Sequence, residues 1–499
     1  MASYISPINS RYKAPVLSKL WSPESKITQM RELWLDLAIF QKELGISIIT
    51  DEGIEEMRAN IYGRRDGGDG VVSNGGAVSN RGGGVVIDYD KINEYEARFK
   101  HDIIAHIHAF SDICPSAKPF IHLGATSNFI NDNVDMIIIK KSMIQISSYA
   151  QELYDTLKSK SLQYKSVPTL AYTHLQQAQL TTVGKRFTMW NVDIAIDIEI
   201  LKGLLNNLPF RGLKGTTGTE DTILKLFEGD HSKCELLNKK IANKYGFYDS
   251  ITICGQTYSR KYDVIVFQVI SGFCQSIYKI MNDIRLLSGK GEYYESFGKE
   301  QVGSSAMPYK KNPITCEKIC SLARYVITQV SAMENTYINQ WLERSLDDSA
   351  IKRIIYPDCF MLLEHILIES VKCIEGLVIN ENYIKKQVAL SMHNIITEEL
   401  IINGVKMGYK RIDIHERIRS ILTKPIKSYD EDNKFFNGGC GVSADGSGSG
   451  DYDIENVKRI FEKDEVISKI IENNNVSLEP LDYIGRCVEQ IDKFYDVNM

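Results

Sequence analysis

The sequence predicts an all-α chain built on long amphipathic helices. From Tyr262 onward, Ile265, Val269, Phe273, Ile277, Ile280, Ile284 and Leu287 recur at steps of three and four, a stripe of about seven helical turns. Met143, Ile146, Tyr149, Leu153 and Leu157 make a second stripe. No proline interrupts the run from Phe210 to Met307. Such stripes suit a helical bundle in which each helix buries one face, and they read as core rather than as cofactor-binding segments.

Size and composition bound the function. With 499 residues the chain is long enough for two or three domains. A net charge of −5 and a pI near 6.1 provide no large basic field for nucleic acid. Met1-Ala2-Ser3-Tyr4-Ile5 lacks the basic-then-apolar pattern of a signal peptide. No uninterrupted apolar run approaches the roughly 20 residues that span a bilayer. The expectation is a soluble, cytoplasmic protein with no membrane partner.

Ten cysteines are scattered from Cys114 to Cys487 without a CxxC pair, and they read as reduced core thiols. Cys316 and Cys320 are the only close pair. His101, His106 and His108 invite a metal reading, but their spacing does not stack them on one helical face. No metal and no cofactor are expected.

Taken in chain order, the first departure from helix is 63–86. Its Gly, Asn, Ser and Asp cannot bury enough apolar surface to order themselves, so it reads as a disordered insertion. The second is the glycine cluster Arg211-Gly212-Leu213-Lys214-Gly215-Thr216-Thr217-Gly218-Thr219. It lacks the Gly-Lys-Ser/Thr ending and βαβ context of a nucleotide-binding loop. Close backbone approach, or the wall of a site, fits it better. The third, 436–452, has the small-residue composition of a flexible linker.

The most informative stretch is Gly303-Ser304-Ser305-Ala306-Met307-Pro308-Tyr309-Lys310-Lys311-Asn312-Pro313. Its prolines and glycine make it a loop. Two serines, two cations and an amide in so short a segment suit a mobile loop that closes over an anion. From composition alone, a solvated surface loop is an equal reading.

This run resembles the signature loop of the fumarase/aspartase superfamily, Gly-Ser-Ser-x-Met-Pro-x-Lys-x-Asn, at every specified position. Those enzymes cleave C–N or C–O bonds by β-elimination, and most release fumarate. Further blocks resemble the adenylosuccinate lyase family, nearest its eukaryotic type. They are Ser10-Arg11-Tyr12, His122-Leu123-Gly124-Ala125-Thr126-Ser127, Tyr172 to Arg186, Phe210 to Thr219, Gly255-Gln256-Thr257-Tyr258 and Glu343 to Ser349. They run in family order from residue 10 to about residue 355.

The resemblance implies cleavage of adenylosuccinate to AMP and fumarate, and of the succinyl-carboxamide ribotide SAICAR to AICAR and fumarate, in purine biosynthesis. It implies Ser304 as general base and His174 as general acid. A base for this step must remove a weakly acidic proton beside a carboxylate, so the site must stabilise a doubly charged group. Lys310, Asn312 and loop N–H groups are suitable donors. Histidine suits the acid because its proton is available near neutral pH. Taken without its neighbours, His174 reads as a hydrogen-bonded core histidine rather than as an acid.

Substrate-binding positions implied in the same way are Arg11, Tyr12, Lys100, His101, Asp102, Thr126, Ser127, Thr173, Gln256, Lys318, Arg344, Ser349 and Arg353. Lys100 and Lys318 stand where the family often carries arginine, so they keep the charge without the planar fork. Gln177 stands where proline is common. The implied architecture has three domains, here 1–126, 127–379 and 380–499, with the central helices completing a bundle in a homotetramer and active sites shared between subunits. Two other readings remain: another fumarate-releasing lyase, such as argininosuccinate lyase, and a structural homologue without turnover. The joint presence of Ser304, His174, Lys310 and Asn312 argues against the latter.

Overall fold

The computed structural model describes residues 5–63, 87–423 and 459–497. Most of the first expected insertion, from residue 64, and all of 436–452 lie outside the described residues. The helices are α1 Pro7–Ser10, α2 Leu17–Leu20, α3 Pro23–Glu43, α4 Asp51–Tyr62, α5 Tyr89–Phe99, α6 Asp102–Ile113, α7 Ser127–Gln163, α8 Val183–Asn207 and α9 Asp221–Leu226. They continue with α10 His231–Lys244, α11 Lys261–Gly289, α12 Ile314–Ile338, α13 Asp348–Glu375, α14 Glu381–Ile395, α15 Thr397–Lys406, α16 Arg411–Leu422, α17 Glu465–Asn474 and α18 Cys487–Val497. Strands β1 Pro168–Thr173 and β2 Gln176–Thr182 form an antiparallel ribbon, and the short β3 Tyr293–Tyr294 pairs with β4 Val378–Ile379. The all-α expectation holds, with the two ribbons as its exceptions.

Helix starts follow local chemistry. Ser22 Oγ accepts the Ser25 N–H while Pro23 opens α3, and Thr50 Oγ1 accepts the Gly53 N–H at the start of α4. The two stripes are core. Met143, Ile146, Leu153 and Leu157 are buried on α7, and Tyr149, half-buried, donates its hydroxyl to Glu364 at 3.2 Å. On α11 the buried stripe runs through Val266, Val269, Phe273, Ile277, Ile280 and Ile284. Ile265, expected within it, is 36 % exposed, because Val264 and Val266 on either side take the inward positions. By length and composition α11 could cross a membrane, but most of its apolar window is buried in the chain, as in a core helix.

The chain divides into two compact units. The first comprises Met1–Leu153, Ile194–Met281 and Glu317–Val371. In it the start of α2 docks on α13: the Val16 and Leu17 N–H groups donate to the Glu364 carboxylate at 3.1 and 2.8 Å. The second comprises Tyr154–Asp193, Asn282–Cys316 and Lys372–Met499. In it α14 packs on the β1–β2 ribbon.

Candidate active site

Two groups of candidate residues fall in the two units. In the first, a buried charge network holds Arg344. Arg260 bridges Asp132 at 2.8 Å and Asp348 at 2.6 Å, with all three side chains almost fully buried. Arg344 reaches the other Asp348 oxygen at 2.8 Å. Lys352 lies 3.3 Å from Asp135 and 3.9 Å from Asp263, and Lys26 completes the set 3.2 Å from Asp135. Cations and carboxylates are equal in number, so burial leaves no net charge. Burial alone would raise the Asp348 carboxyl, but Arg260, Lys352 and Arg344 hold it below the usual range. Asp135 is lowered likewise, by Lys26 and Lys352 against burial.

Around this network the backbone is tightly packed. The buried Arg211 guanidinium donates to the carbonyls of Gln256 (2.7 Å), Gly212 (3.0 Å) and Gly215 (2.7 Å). A Cβ on Gly218 would sit 1.8 Å from the Cys254 carbonyl oxygen. The glycine cluster is therefore a close backbone approach, as expected. The Gln256 N–H donates to the Glu343 carbonyl at 2.9 Å, and its Oε1 accepts from Asn128 at 3.1 Å. Asn128 is the second residue of α7, so Gln256 lies beside the helix start that carries Ser127 and, just before it, the buried Thr126.

Lys100, His101 and Asp102 form the corner between α5 and α6. Lys100 is left-handed (φ 53°) and closes α5, while His101 Nδ1 caps α6 by accepting from Ile104 at 3.4 Å. Arg353 pairs with Asp102 at 2.6 Å. Tyr12 packs on His365 with ring centroids 5.5 Å apart, and the exposed Arg11 precedes it at the end of α1. Lys318 is held by Glu369 at 2.6 Å, and Ser349 lies in the first turn of α13. The histidine cluster is dispersed: His108 stacks on Phe99, with centroids 4.6 Å apart, while His101 serves as a cap.

His122 and Arg260 are positions that sequence reasoning passed over. His122 Nδ1 accepts the Trp34 indole N–H at 2.9 Å, which leaves the ring proton on Nε2. Burial, then the nearby His101, lowers its pKa to about 4, so the ring is neutral. His122 lies within a block singled out above; Arg260, two residues beyond Tyr258, carried no local signal.

The second unit holds the remaining candidates. Thr173 and Gln176 pair at the tip of the ribbon, leaving His174 and Leu175 as a two-residue turn. Both are left-handed, at φ 54° and 62°, as a type I′ hairpin turn demands. Non-glycine residues adopt this conformation at a cost, and the turn pushes His174 out to solvent. Below it the ribbon is anchored by the buried Glu292, which accepts the Tyr172 hydroxyl at 2.6 Å and lies 3.5 Å from Arg186. Arg186 also donates to the Leu170 carbonyl at 2.8 Å.

The 303–313 loop is a closed ring. Asn312 Nδ2 donates to the Gly303 carbonyl at 3.0 Å. A Cβ on Gly303 would lie 2.0 Å from the Lys310 carbonyl oxygen, so only glycine admits this closure. Inside the ring, Ser304 Oγ accepts the N–H groups of Met307 at 3.0 Å and Ala306 at 3.3 Å. Ser304 is half-buried, whereas Ser305 and Lys310 are exposed.

A lyase family profile matches residues 85–328. Adenylosuccinate lyase from Saccharomyces cerevisiae is 36 % identical over 498 residues, covering 99 % of this chain and 95 % of that protein. The chain belongs to the adenylosuccinate lyase family. The enzyme of that name from Schistosoma mansoni is 38 % identical over 83 % of this chain and 82 % of its own length. Among solved structures, the 3-carboxy-cis,cis-muconate lactonizing enzyme of Pseudomonas putida superposes with a TM-score of 0.75 at 18 % identity, covering 97 % of each chain. A fumarate lyase from a Mesorhizobium species gives the same TM-score at 17 % identity, covering 96 % of each chain. At such identities these two show the fold alone.

As a member of the adenylosuccinate lyase family, a carbon–nitrogen lyase family, the chain has three departures with defined surroundings. Lys100 closes a helix, Lys318 is committed to Glu369, and Gln177 accepts from Ser391 Oγ at 3.2 Å, which ties the ribbon to α14. That last bond supplies a restraint at the position where proline would have stiffened the backbone.

Proposed function

We propose that this chain, as a cytoplasmic homotetramer, splits adenylosuccinate into AMP and fumarate and SAICAR into AICAR and fumarate. Ser304 removes the proton from the carbon next to a succinyl carboxylate. The C–N bond then breaks, and His174 gives its proton to the departing nitrogen. The observation that carries this reading is the pair of N–H groups on Ser304 Oγ. Donors fixed on that oxygen favour its charged form, as a serine acting as base requires. Asn312 supports the same loop by closing it, and the exposed Lys310 ammonium is available for the carbanion's carboxylate.

The binding group would be Arg11, Tyr12, Lys100, His101, Asp102, Thr126, Ser127, Thr173, Gln256, Lys318, Arg344, Ser349 and Arg353, drawn from more than one subunit. An exposed apolar row on α8, Met189, Val192, Ile196 and Ile200, supports assembly, since such a row at helical spacing calls for a partner helix. The test is fumarate release followed by ultraviolet absorbance, with adenylosuccinate, SAICAR and argininosuccinate offered separately. Turnover of both purine substrates, and not of argininosuccinate, is expected. Activity on argininosuccinate alone, or silence from a folded protein, would overturn the reading.

A further inference from the structure

Cys316 has a partner that its sequence neighbourhood does not reveal. Cys320, four residues on, turns its thiol to the Tyr278 carbonyl at 3.8 Å. Cys316 Sγ instead lies 3.7 Å from Cys373 Sγ, and both residues are buried. The half-buried Glu295 joins them, with the three candidate ligand atoms all within 4.8 Å of one another. The groups come from the segment after β3, the first turn of α12 and the last turn of α13. Pairing of Tyr294 with Val378 pins Glu295 beside the end of α13.

We propose that Glu295, Cys316 and Cys373 form a binding site for a thiophilic divalent cation of the zinc class. The spacing fits the ion. Two sulfurs at about 2.3 Å from a tetrahedral zinc stand about 3.8 Å apart, close to the separation already present. Borderline-soft ions prefer this mixture of thiolate and carboxylate. Glu295 already accepts the Thr315 N–H at 3.0 Å and the Cys316 N–H at 2.7 Å, one on each oxygen. Each carboxylate oxygen keeps a further lone pair for a metal. A tetrahedral ion held by these three groups would take water as its fourth ligand, Glu295 being the half-buried member.

Charge and proton balance are closed. Binding forms two metal–sulfur bonds and one metal–oxygen bond, and it releases the two thiol protons to solvent. The cluster carries one negative charge before binding, on Glu295. It carries one afterwards, when two thiolates and a carboxylate surround a divalent ion. No additional charge is buried, which removes the usual obstacle to filling an interior site.

The test uses the full chain, reduced and freed of metal, titrated with Co²⁺ as the probe. A thiolate-to-cobalt charge-transfer band with the visible bands of tetrahedral cobalt should saturate at one ion per chain, and Zn²⁺ should displace them. Cys316→Ser and Cys373→Ser should each abolish the band, and Glu295→Gln should weaken binding by at least about tenfold. Cys373, at the end of a helix, offers the second variant if Cys316→Ser does not fold. Failure to develop the band in the wild-type chain would overturn the proposal, as would a band undiminished in a folded cysteine variant. Neither readout depends on turnover, so the site stands or falls apart from the catalytic reading.

Discussion

Removing the Ser304 hydroxyl should cost far more than removing that of its neighbour. Ser304 Oγ holds the Met307 and Ala306 N–H groups, whereas Ser305 is exposed on the same loop. A hydrogen bond to a charged group contributes about 1.5–3 kcal/mol. The amide at 3.0 Å therefore favours an alkoxide at Ser304 by about that amount, with a smaller addition from the longer contact. Loss of a positioned base typically costs about 10²–10⁴ in rate. Ser304→Ala should lower kcat by about that factor, equivalent to about 3–5 kcal/mol of barrier. Ser305→Ala should stay within about threefold of wild type, since surface changes away from such features are usually small. The assay is steady-state fumarate release by both variants, beside thermal unfolding to show that each is folded. Equal losses in the two variants, or a Ser304→Ala enzyme within tenfold of wild type, would refute the assignment.

Gly303→Ala should drive the loop open, because the new Cβ would meet the Lys310 carbonyl oxygen at 2.0 Å. A shift of about 1 Å in a reacting group can cost about 10²-fold, so kcat should fall by that order while the melting temperature barely moves. A variant with normal kcat would remove the ring from the mechanism. Arg260→Met should destabilise the chain by about 3–5 kcal/mol, since it leaves Asp132 buried without its paired cation and Asp348 with Arg344 alone in direct contact. Urea unfolding checks this, and a loss below about 1 kcal/mol would show that the network is dispensable. Acid should weaken the fold through His122. Its pKa is about 4 in the folded chain against an ordinary 6.5, so its contribution is complete above pH 6.5 and is lost as pH falls toward 4. The effect is up to about 3 kcal/mol, and His122→Gln should flatten that part of the stability profile. Unchanged slopes would exclude His122 as the responsive group.

The features legible in the sequence share one property: their meaning lies within a few residues. The α11 stripe was readable because a helix buries every third or fourth side chain, and only Ile265 misled, at the end where two buried valines flank it. The 303–313 loop was readable for the same reason. Its glycine and asparagine close a ring on themselves, so the residue types state the geometry. The β1–β2 ribbon was missed although Thr169, Tyr172, Thr173, Thr181 and Thr182 are good strand formers. The turn hid it: His174 and Leu175 take left-handed backbone that sequence rules reserve for Asn-Gly or Asp-Gly. A strained turn at the candidate acid is what a functional constraint overriding local preference looks like.

Contacts made across the chain were not legible at all. Asp132, Arg260 and Asp348 meet from three separate segments, and Cys316 finds Cys373 rather than Cys320. Buried charge and buried thiols have no period to betray them. Only the fold decides whether an arginine with ordinary neighbours is a solvated surface charge or the bridge between two buried carboxylates. The residues whose roles depend on such contacts are therefore those where mutation will teach most. Arg344 illustrates the point. The family resemblance made it a candidate substrate-binding residue, but it already gives one arm of its fork to Asp348 at 2.8 Å. An anionic ligand would have to share that arginine with the network rather than claim it. Loss of Asp348 should then free the guanidinium and disturb ligand affinity and stability together, a coupling that a purely surface arginine would not produce.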